Sequence, residues 1–354
     1  MEPEGMEKPS LMELPRAVMI KSGALDSVGP LCRQFHLKGG PILVCDRTTS
    51  EIAGDRVRRS LIGAGYDPEI IIVEGATDVS AGVVDERLGK AEGHFLLGVG
   101  GGRPIDVAKY VSTKNDMDFV SVPTAASHDG IASSRASIEM DGRKKSVPAR
   151  SPFLVVADTE IIAKAPPELM VSGCADVISN YTAVLDWKLS YRLKGEQFSE
   201  YAAALSEMTA KLILERVDVI RPHLEESARA VVKALVSSSV AMSIAGSSRP
   251  ASGSEHMFAH ALDLIAERPP LHGNGCGVGT IMMMYLHGGD WAHIRDALRT
   301  LGAPVNAAEL GVKDTDVISA LMDANSIRPQ RYTILGDGIT EHAARKLASR
   351  TGVI

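Results

Sequence analysis

The sequence predicts an α/β N-terminal domain built on a parallel sheet, followed by an all-α C-terminal domain. Short apolar runs alternate with helical patterns through the first half, and strand signals cease after about Ile161. A length of 354 residues also exceeds what one simple core accommodates. The expected units are 1–163 and 164–354.

Each element has its own warrant. "PILVCD" (41–46) is a β-branched run ending in an acid, and a helix-compatible stretch runs from Ser50 to Gly63. "EIIIVEG" (69–75) reads as a second strand, with "VVDERLGKAEG" as the helix after it. "HFLLGVGGG" (94–102) is a third strand running into glycines, and "PIDVAKYVSTK" is its helix. "DFVSVPTAAS" and "PFLVVADTE" supply two more strands. Strands and helices alternating at this spacing imply a parallel sheet covered on both faces. Beyond Ile161 the stretches beginning "PPELMVSGCADV", "SEYAAALSEMTA" and "EESARAVVKALV" are helical. So are the 252–266 segment and "VGTIMMMYLHGGDWAHIRDALRTLG". No repeat or low-complexity linker intervenes, so a close interface between the halves is expected.

Composition excludes several classes of function. Aromatics are 4% of the chain, too few for the stacking platforms of a single-stranded nucleic-acid binder. The net charge of −6 argues against a phosphate-backbone partner, so no nucleic acid is expected. Cys32, Cys45, Cys174 and Cys276 form no CxxC pair, and read as reduced thiols of a cytoplasmic protein. "MEPEGMEKPSLMELPR" at the start is acidic and broken by prolines, unlike a signal or transit peptide. No apolar run approaches the roughly 20 residues of a membrane span, so no stable membrane insertion is expected.

"GVGGGRPIDVAKY" sits where a strand feeds a helix. Gly100, Gly101 and Gly102 let the backbone approach a ligand closely, and Pro104 suits the first helical turn. The free N–H groups there favour an anion such as a pyrophosphate, although the spacing departs from GxGxxG. Asp46, ending a neighbouring strand, could meet an adenosine ribose or simply be solvated. The loop "SVPTAASHDGIASSRASI" is rich in hydroxyls at a strand's carboxyl end, with Thr124, Ser127 and Ser133 as donors and His128 and Asp129 as titratable groups.

In "SGSEHMFAHALDLIAERPPLHGNG", His256 and His260 lie one helical turn apart and share a face. The pattern is not HExxH, which removes the zinc-protease reading. His272, after a Pro-Pro turn, could fold back toward the same point, and three ligands with an open position describe a catalytic zinc site. Asp176 in "SGCADVISN" is an acid within an apolar helical run and needs a partner such as a metal if buried. A polar helix face remains the alternative at the level of spacing.

Taken together, "GVGGGRPIDVAKY", "SVPTAASHDGIASSRASI", "SGCADVISN" and "SGSEHMFAHALD…PLHGNGCGVGT" resemble archaeal-type sn-glycerol-1-phosphate dehydrogenases. These belong to a wider group with glycerol dehydrogenases, iron-containing alcohol dehydrogenases and dehydroquinate synthases. The resemblance implies a Rossmann-like first domain and reduction of dihydroxyacetone phosphate to sn-glycerol 1-phosphate by NADH or NADPH, for ether-lipid backbones. It implies one zinc ion per subunit on Asp176, His256 and His272, with His260, Asp129 and Asp176 contacting substrate and serving catalysis. The cofactor is implied to lie on Gly102, Arg103, Pro104, Ile105 and Asp106, on Thr124, Ala125, Ala126 and Ser127, and on Ser133. A homo-oligomer is also implied. The competing readings are a polyol dehydrogenase of the same group and a non-catalytic dinucleotide-binding regulator. A phosphorylated substrate would require basic donors; Arg135, Lys144 and Lys145 are candidates, although "DGRKKS" reads as a solvated hairpin turn.

Overall fold

The structure is a computed structural model that describes residues 12–89 and 93–354. Its strands are β1 (Ala17–Lys21), β2 (Gly40–Cys45), β3 (Glu69–Ile72), β4 (His94–Gly100), β5 (Phe119–Pro123), β6 (Arg135–Met140), β7 (Arg143–Pro148) and β8 (Leu154–Asp158). The helices of the first half are α1 (Val28–Gln34), α2 (Arg47–Thr49), α3 (Asp55–Gly63), α4 (Asp78–Leu88), α5 (Gly102–Lys114) and α6 (Thr159–Ala163). Helices α7 (Pro167–Lys194), α8 (Glu200–Leu214), α9 (Glu225–Ala245), α10 (Ser254–Ile265) and α11 (His272–Leu286) then follow. The chain closes through α12 (Trp291–Leu301), α13 (Ala307–Leu310), α14 (Asp314–Ile327) and α15 (Glu341–Thr351).

Six strands form one parallel sheet in the order β1-β8-β5-β4-β2-β3. Strands β5 and β8 are buried along their whole length, and β2 and β4 are buried except at their first residue. That is why they read as continuous apolar runs: a parallel strand covered on both faces has no polar side. Edge strands β1 and β3 are only partly buried. The sequence reading missed β1, whose "AVMIK" is only five residues long and lies at the edge of the sheet.

Outside this sheet, β6 and β7 make an antiparallel hairpin. Its two-residue turn, Asp141-Gly142, has positive φ at both positions, as a type I′ turn requires. "DGRKKS" therefore begins in a hairpin turn, as expected, but continues as a strand.

Other elements differ at their ends. Helix α4 stops at Leu88, and residues 90–92 of the anticipated helix lie outside the described residues, as do residues 1–11 of the N-terminal stretch. "VGTIMMMYLHGGDWAHIRDALRTLG" divides into α11 and α12 at Gly288-Gly289. Helix α9 is long and apolar enough to suit a membrane span, contrary to the sequence reading of apolar runs. However, 61% of its most apolar stretch is buried inside the protein, as in a core helix. All four cysteines are free and buried.

The helical half is organised by α7, which packs on α8, α9 and α11, while α10 packs on α11 and α14. The α7–α11 crossing is close. A Cβ at Gly273 would lie 1.9 Å from the Ser172 carbonyl oxygen, and the Gly273 N–H donates to Ser172 Oγ at 3.2 Å. Gly273→Ala should therefore push α11 off α7 and cost about 1–3 kcal/mol. Thermal denaturation checks this, and an unchanged melting temperature would show that α11 slides without cost.

Candidate active site

Strand β2 leads to β3 on one side, whereas β4 leads to β5 on the other. The carboxyl ends of β2 and β4 thus open a crevice where the strand order reverses, the usual ligand position of open α/β sheets. Three consecutive glycines stand there for three different reasons. Gly100 has φ 154°, and a Cβ on it would meet Pro104 Cγ at 2.8 Å and Thr49 Oγ1 at 3.0 Å. Gly101 is extended, with φ −78°, and a Cβ on it would meet nothing within 4 Å. A Cβ on Gly102 would lie 2.4 Å from His128 Nε2. No side chain caps α5 at Gly101, so its first N–H groups and the helix dipole face the crevice unopposed.

Asp46 has a local task at the same crevice. Its Oδ1 accepts the Thr49 N–H at 2.7 Å and caps α2. The neighbouring loop is tied to the glycine turn by the Thr124 N–H, which donates to the Gly100 carbonyl at 3.0 Å. Thr124 and Ser133 are buried. Ile105 and Ala126 belong to the hydrophobic core, so they can offer a ligand only main-chain atoms.

A cavity of about 230 Å³ runs from this turn to the helical half. Gly102, Arg103, Asp106, Asp129 and Ser133 line it from one side, and His256, His260 and His272 from the other. Asp176 of α7 lies just behind the wall, 3% exposed. Its Oδ2 accepts the Asp129 main-chain N–H at 2.9 Å, whereas its Oδ1 has no hydrogen-bond partner. That oxygen faces His256 Nε2 at 3.6 Å and His272 Nε2 at 3.8 Å. These separations are too long for hydrogen bonds. They approach the roughly 3.4 Å between tetrahedral donors set about 2.0–2.1 Å from zinc.

The electrostatics agree with the spacing. Burial, reinforced by the Asp176 charge, pushes Asp129 up to about 7, and burial pushes Asp176 up to about 7. Burial also holds His256 and His260 well below the usual imidazole value, and His272 below it. Neutral imidazoles and reluctant carboxylates make a site short of one cation. His260, Asp263 and His272 form a second possible cluster, but Asp263 already faces Lys144 Nζ at 3.5 Å. Cys276 joins the first cluster, with Sγ 3.7 Å from His272 Nε2.

Sequence reasoning missed the groups that orient this set. Glu255 is fully buried; its Oε1 accepts the Gly253 N–H at 2.6 Å, and its Oε2 accepts Thr182 Oγ1 at 2.9 Å. Oε1 also lies 2.9 Å from His256 Nδ1. A proton on Nδ1 would leave Nε2 as the acceptor toward Asp176, the usual tautomer of a metal ligand. Lys109, also fully buried, donates to the carbonyls of Gly130 and Arg135 at 2.5 and 2.8 Å. It pins the Asp129 loop to α5. A lysine on the apolar face of "PIDVAKY" was the available signal for that role.

Known proteins resemble this chain in sequence and in fold. A profile of iron-containing alcohol dehydrogenases matches residues 19–166. The glycerol-1-phosphate dehydrogenase [NAD(P)+] of Methanosarcina acetivorans is 57% identical over 97% of this chain and 96% of its own length. The chain belongs to the glycerol-1-phosphate dehydrogenase family. Its namesake from Methanothermobacter thermautotrophicus is 53% identical, covering 98% of this chain and 99% of that one. Among solved structures, a probable glycerol dehydrogenase from Sinorhizobium meliloti superposes with a TM-score of 0.79 at 20% identity. The match covers 98% of this chain and 100% of that one, and it bears on the fold alone.

The open space at Gly101 separates binding from folding. Gly101→Val should leave the melting temperature near the wild-type value while raising the NADH dissociation constant at least about tenfold, through loss of charge-assisted hydrogen bonds. Fluorescence titration beside a melting curve checks both, and normal NADH binding would put the pyrophosphate elsewhere.

Proposed function

We propose that this chain interconverts dihydroxyacetone phosphate and sn-glycerol 1-phosphate using NAD(P)H, in the cytoplasm, supplying glycerophosphate for archaeal ether lipids. The observation that carries the reading is the unpartnered Asp176 Oδ1 facing two imidazole nitrogens beside a cavity that reaches the uncapped α5. Asp176, His256 and His272 would hold one zinc ion per subunit, because their donor set fits a divalent cation with a preference for nitrogen and oxygen. The cofactor would lie along Gly102 to Asp106, Thr124 to Ser127, and Ser133. When bound, zinc supplies Lewis acidity at the ketone oxygen, and the nicotinamide supplies the hydride.

The chain's own residues handle position and protons. His260 lines the cavity one turn beyond His256, and its neutral ring keeps one N–H donor and one acceptor nitrogen for a substrate oxygen. Asp129 lines the same cavity, where its carboxyl can exchange a proton with a substrate hydroxyl. Ser238 Oγ, donating to Asp129 Oδ2 at 3.3 Å, and Ser239 Oγ, donating to the Asp129 carbonyl at 2.8 Å, keep that carboxyl in place. A homo-oligomer is part of the reading. Tyr191 and Leu193 at the end of α7, and Tyr201, Met208 and Leu212 on α8, support it as large exposed apolar side chains on adjoining helices.

His256→Ala and His272→Ala should each lose stoichiometric zinc and activity together. His260→Ala should keep zinc while kcat/KM falls about 100-fold or more. Elemental analysis beside a coupled NADH-oxidation assay with dihydroxyacetone phosphate separates these outcomes. Full zinc in the first two variants would overturn the ligand set, and zinc loss in the third would show that the pair is divided wrongly.

Zinc binding should also release protons in a pH-dependent way. Burial raises both carboxyls of the Asp129–Asp176 pair well above the usual carboxylate range, so the metal-free pair holds more protons at pH 6 than at pH 8. Ligation requires the carboxylate, so release should be larger at pH 6 than at pH 8, by up to about one proton. Calorimetric titration in buffers of different ionisation heat measures this. Equal release at both pH values would contradict it.

A further inference from the structure

The cationic side chains lining the cavity are Arg103, Arg135, Lys144 and Arg328. Lys144 faces Asp263. Arg135 spends Nε and Nη2 on Ser146, within its own hairpin. Arg103 is exposed at the start of α5, beside the glycine turn. Arg328, immediately after α14, differs from all three. Its Nη1 donates to Ser248 Oγ at 3.2 Å and Ser252 Oγ at 3.3 Å, and both serines line the cavity. Among the described residues no carboxylate comes within 4.0 Å of its guanidinium. Burial, with Arg135 and Arg249 nearby, disfavours its charged form. A partly buried guanidinium facing only neutral hydroxyls is short of an anion.

We propose that Arg328, with the Ser248 and Ser252 hydroxyls, binds the phosphate of the substrate and so selects phosphorylated over unphosphorylated substrates. The inference rests on the reaction proposed above. The planar guanidinium suits a phosphate, and serine hydroxyls can turn to donate to the same oxygens. Arg328 enters from the helical half, the side that carries His256, His260 and His272. The pyrophosphate of a dinucleotide has its own partner in the uncapped α5 across the cavity. Arg331 braces the same pair from behind, through Ser248 Oγ at 3.0 Å and the Ser252 carbonyl at 2.5 Å. The serines are therefore held without help from Arg328.

The test compares dihydroxyacetone phosphate with dihydroxyacetone, and uses inorganic phosphate as a competitor. In Arg328→Met the ratio of kcat/KM for the phosphorylated over the unphosphorylated substrate should fall at least about 30-fold, mainly through KM. Inhibition by inorganic phosphate should weaken in parallel, with zinc content and the NADH dissociation constant retained. Arg328→Gln, which keeps a donor toward the serines but not the charge, should behave alike and serves if the methionine variant does not fold. A wild-type preference for the phosphorylated substrate that survives in both variants overturns the assignment of Arg328 while leaving the reaction intact. An equal loss with both substrates reduces Arg328 to a structural role and also overturns it. A wild type without any preference for the phosphorylated substrate overturns the reaction itself.

Discussion

The hydrogen bond from the Asp129 N–H to Asp176 Oδ2 joins the two halves at the one point where their chemistry must meet. Asp129 sits in the loop that leaves β5, and Asp176 lies on α7, the helix on which much of the helical half packs. Glu255, His256 and His272 are arranged around the carboxyl oxygen that this bond leaves over. A buried carboxylate with an unmet oxygen is costly, and the fold keeps it there.

Asp186, ten residues further along α7, makes the contrast. It is fully buried as well, but its Oδ2 accepts the Ser254 N–H and hydroxyl, and its Oδ1 accepts the Ile334 N–H and lies 3.1 Å from His287 Nε2. Every one of those partners belongs to the helical half, so Asp186 ties α7 to α10 and to the segment before α15. Two acids on one helix thus diverge in role according to whether their oxygens are satisfied within the protein.

Much of this is legible in the sequence alone. The buried strands of the sheet announce themselves because parallel strands are apolar on both faces, and the glycine turn follows from strand, glycines and Pro104 in series. Asp176, His256 and His272 could be proposed from residue type and resemblance, and the structure brings their donor atoms together. Glu255 and Lys109 were not legible, because a buried charge looks like a surface charge until its partners are known. Arg328 was hidden for another reason. It lies far along the chain from the histidines it accompanies, just past the end of a helix with no motif of its own, and only the packing of α10 on α14 makes them neighbours. Edge strand β1 escaped because pairing with β8, across more than a hundred residues of sequence, defines it.

The three glycines at the mouth of α5 answer to different pressures. A side chain at Gly100 would press on Pro104 and Thr49 in a left-handed backbone, and one at Gly102 would displace the His128 ring. The space beside Gly101 is not needed for folding at all. Selection can therefore act on that position only through what the crevice binds. A descendant that abandoned the dinucleotide could fill position 101 without a clash, whereas a side chain at either neighbour would still have to displace the protein's own atoms.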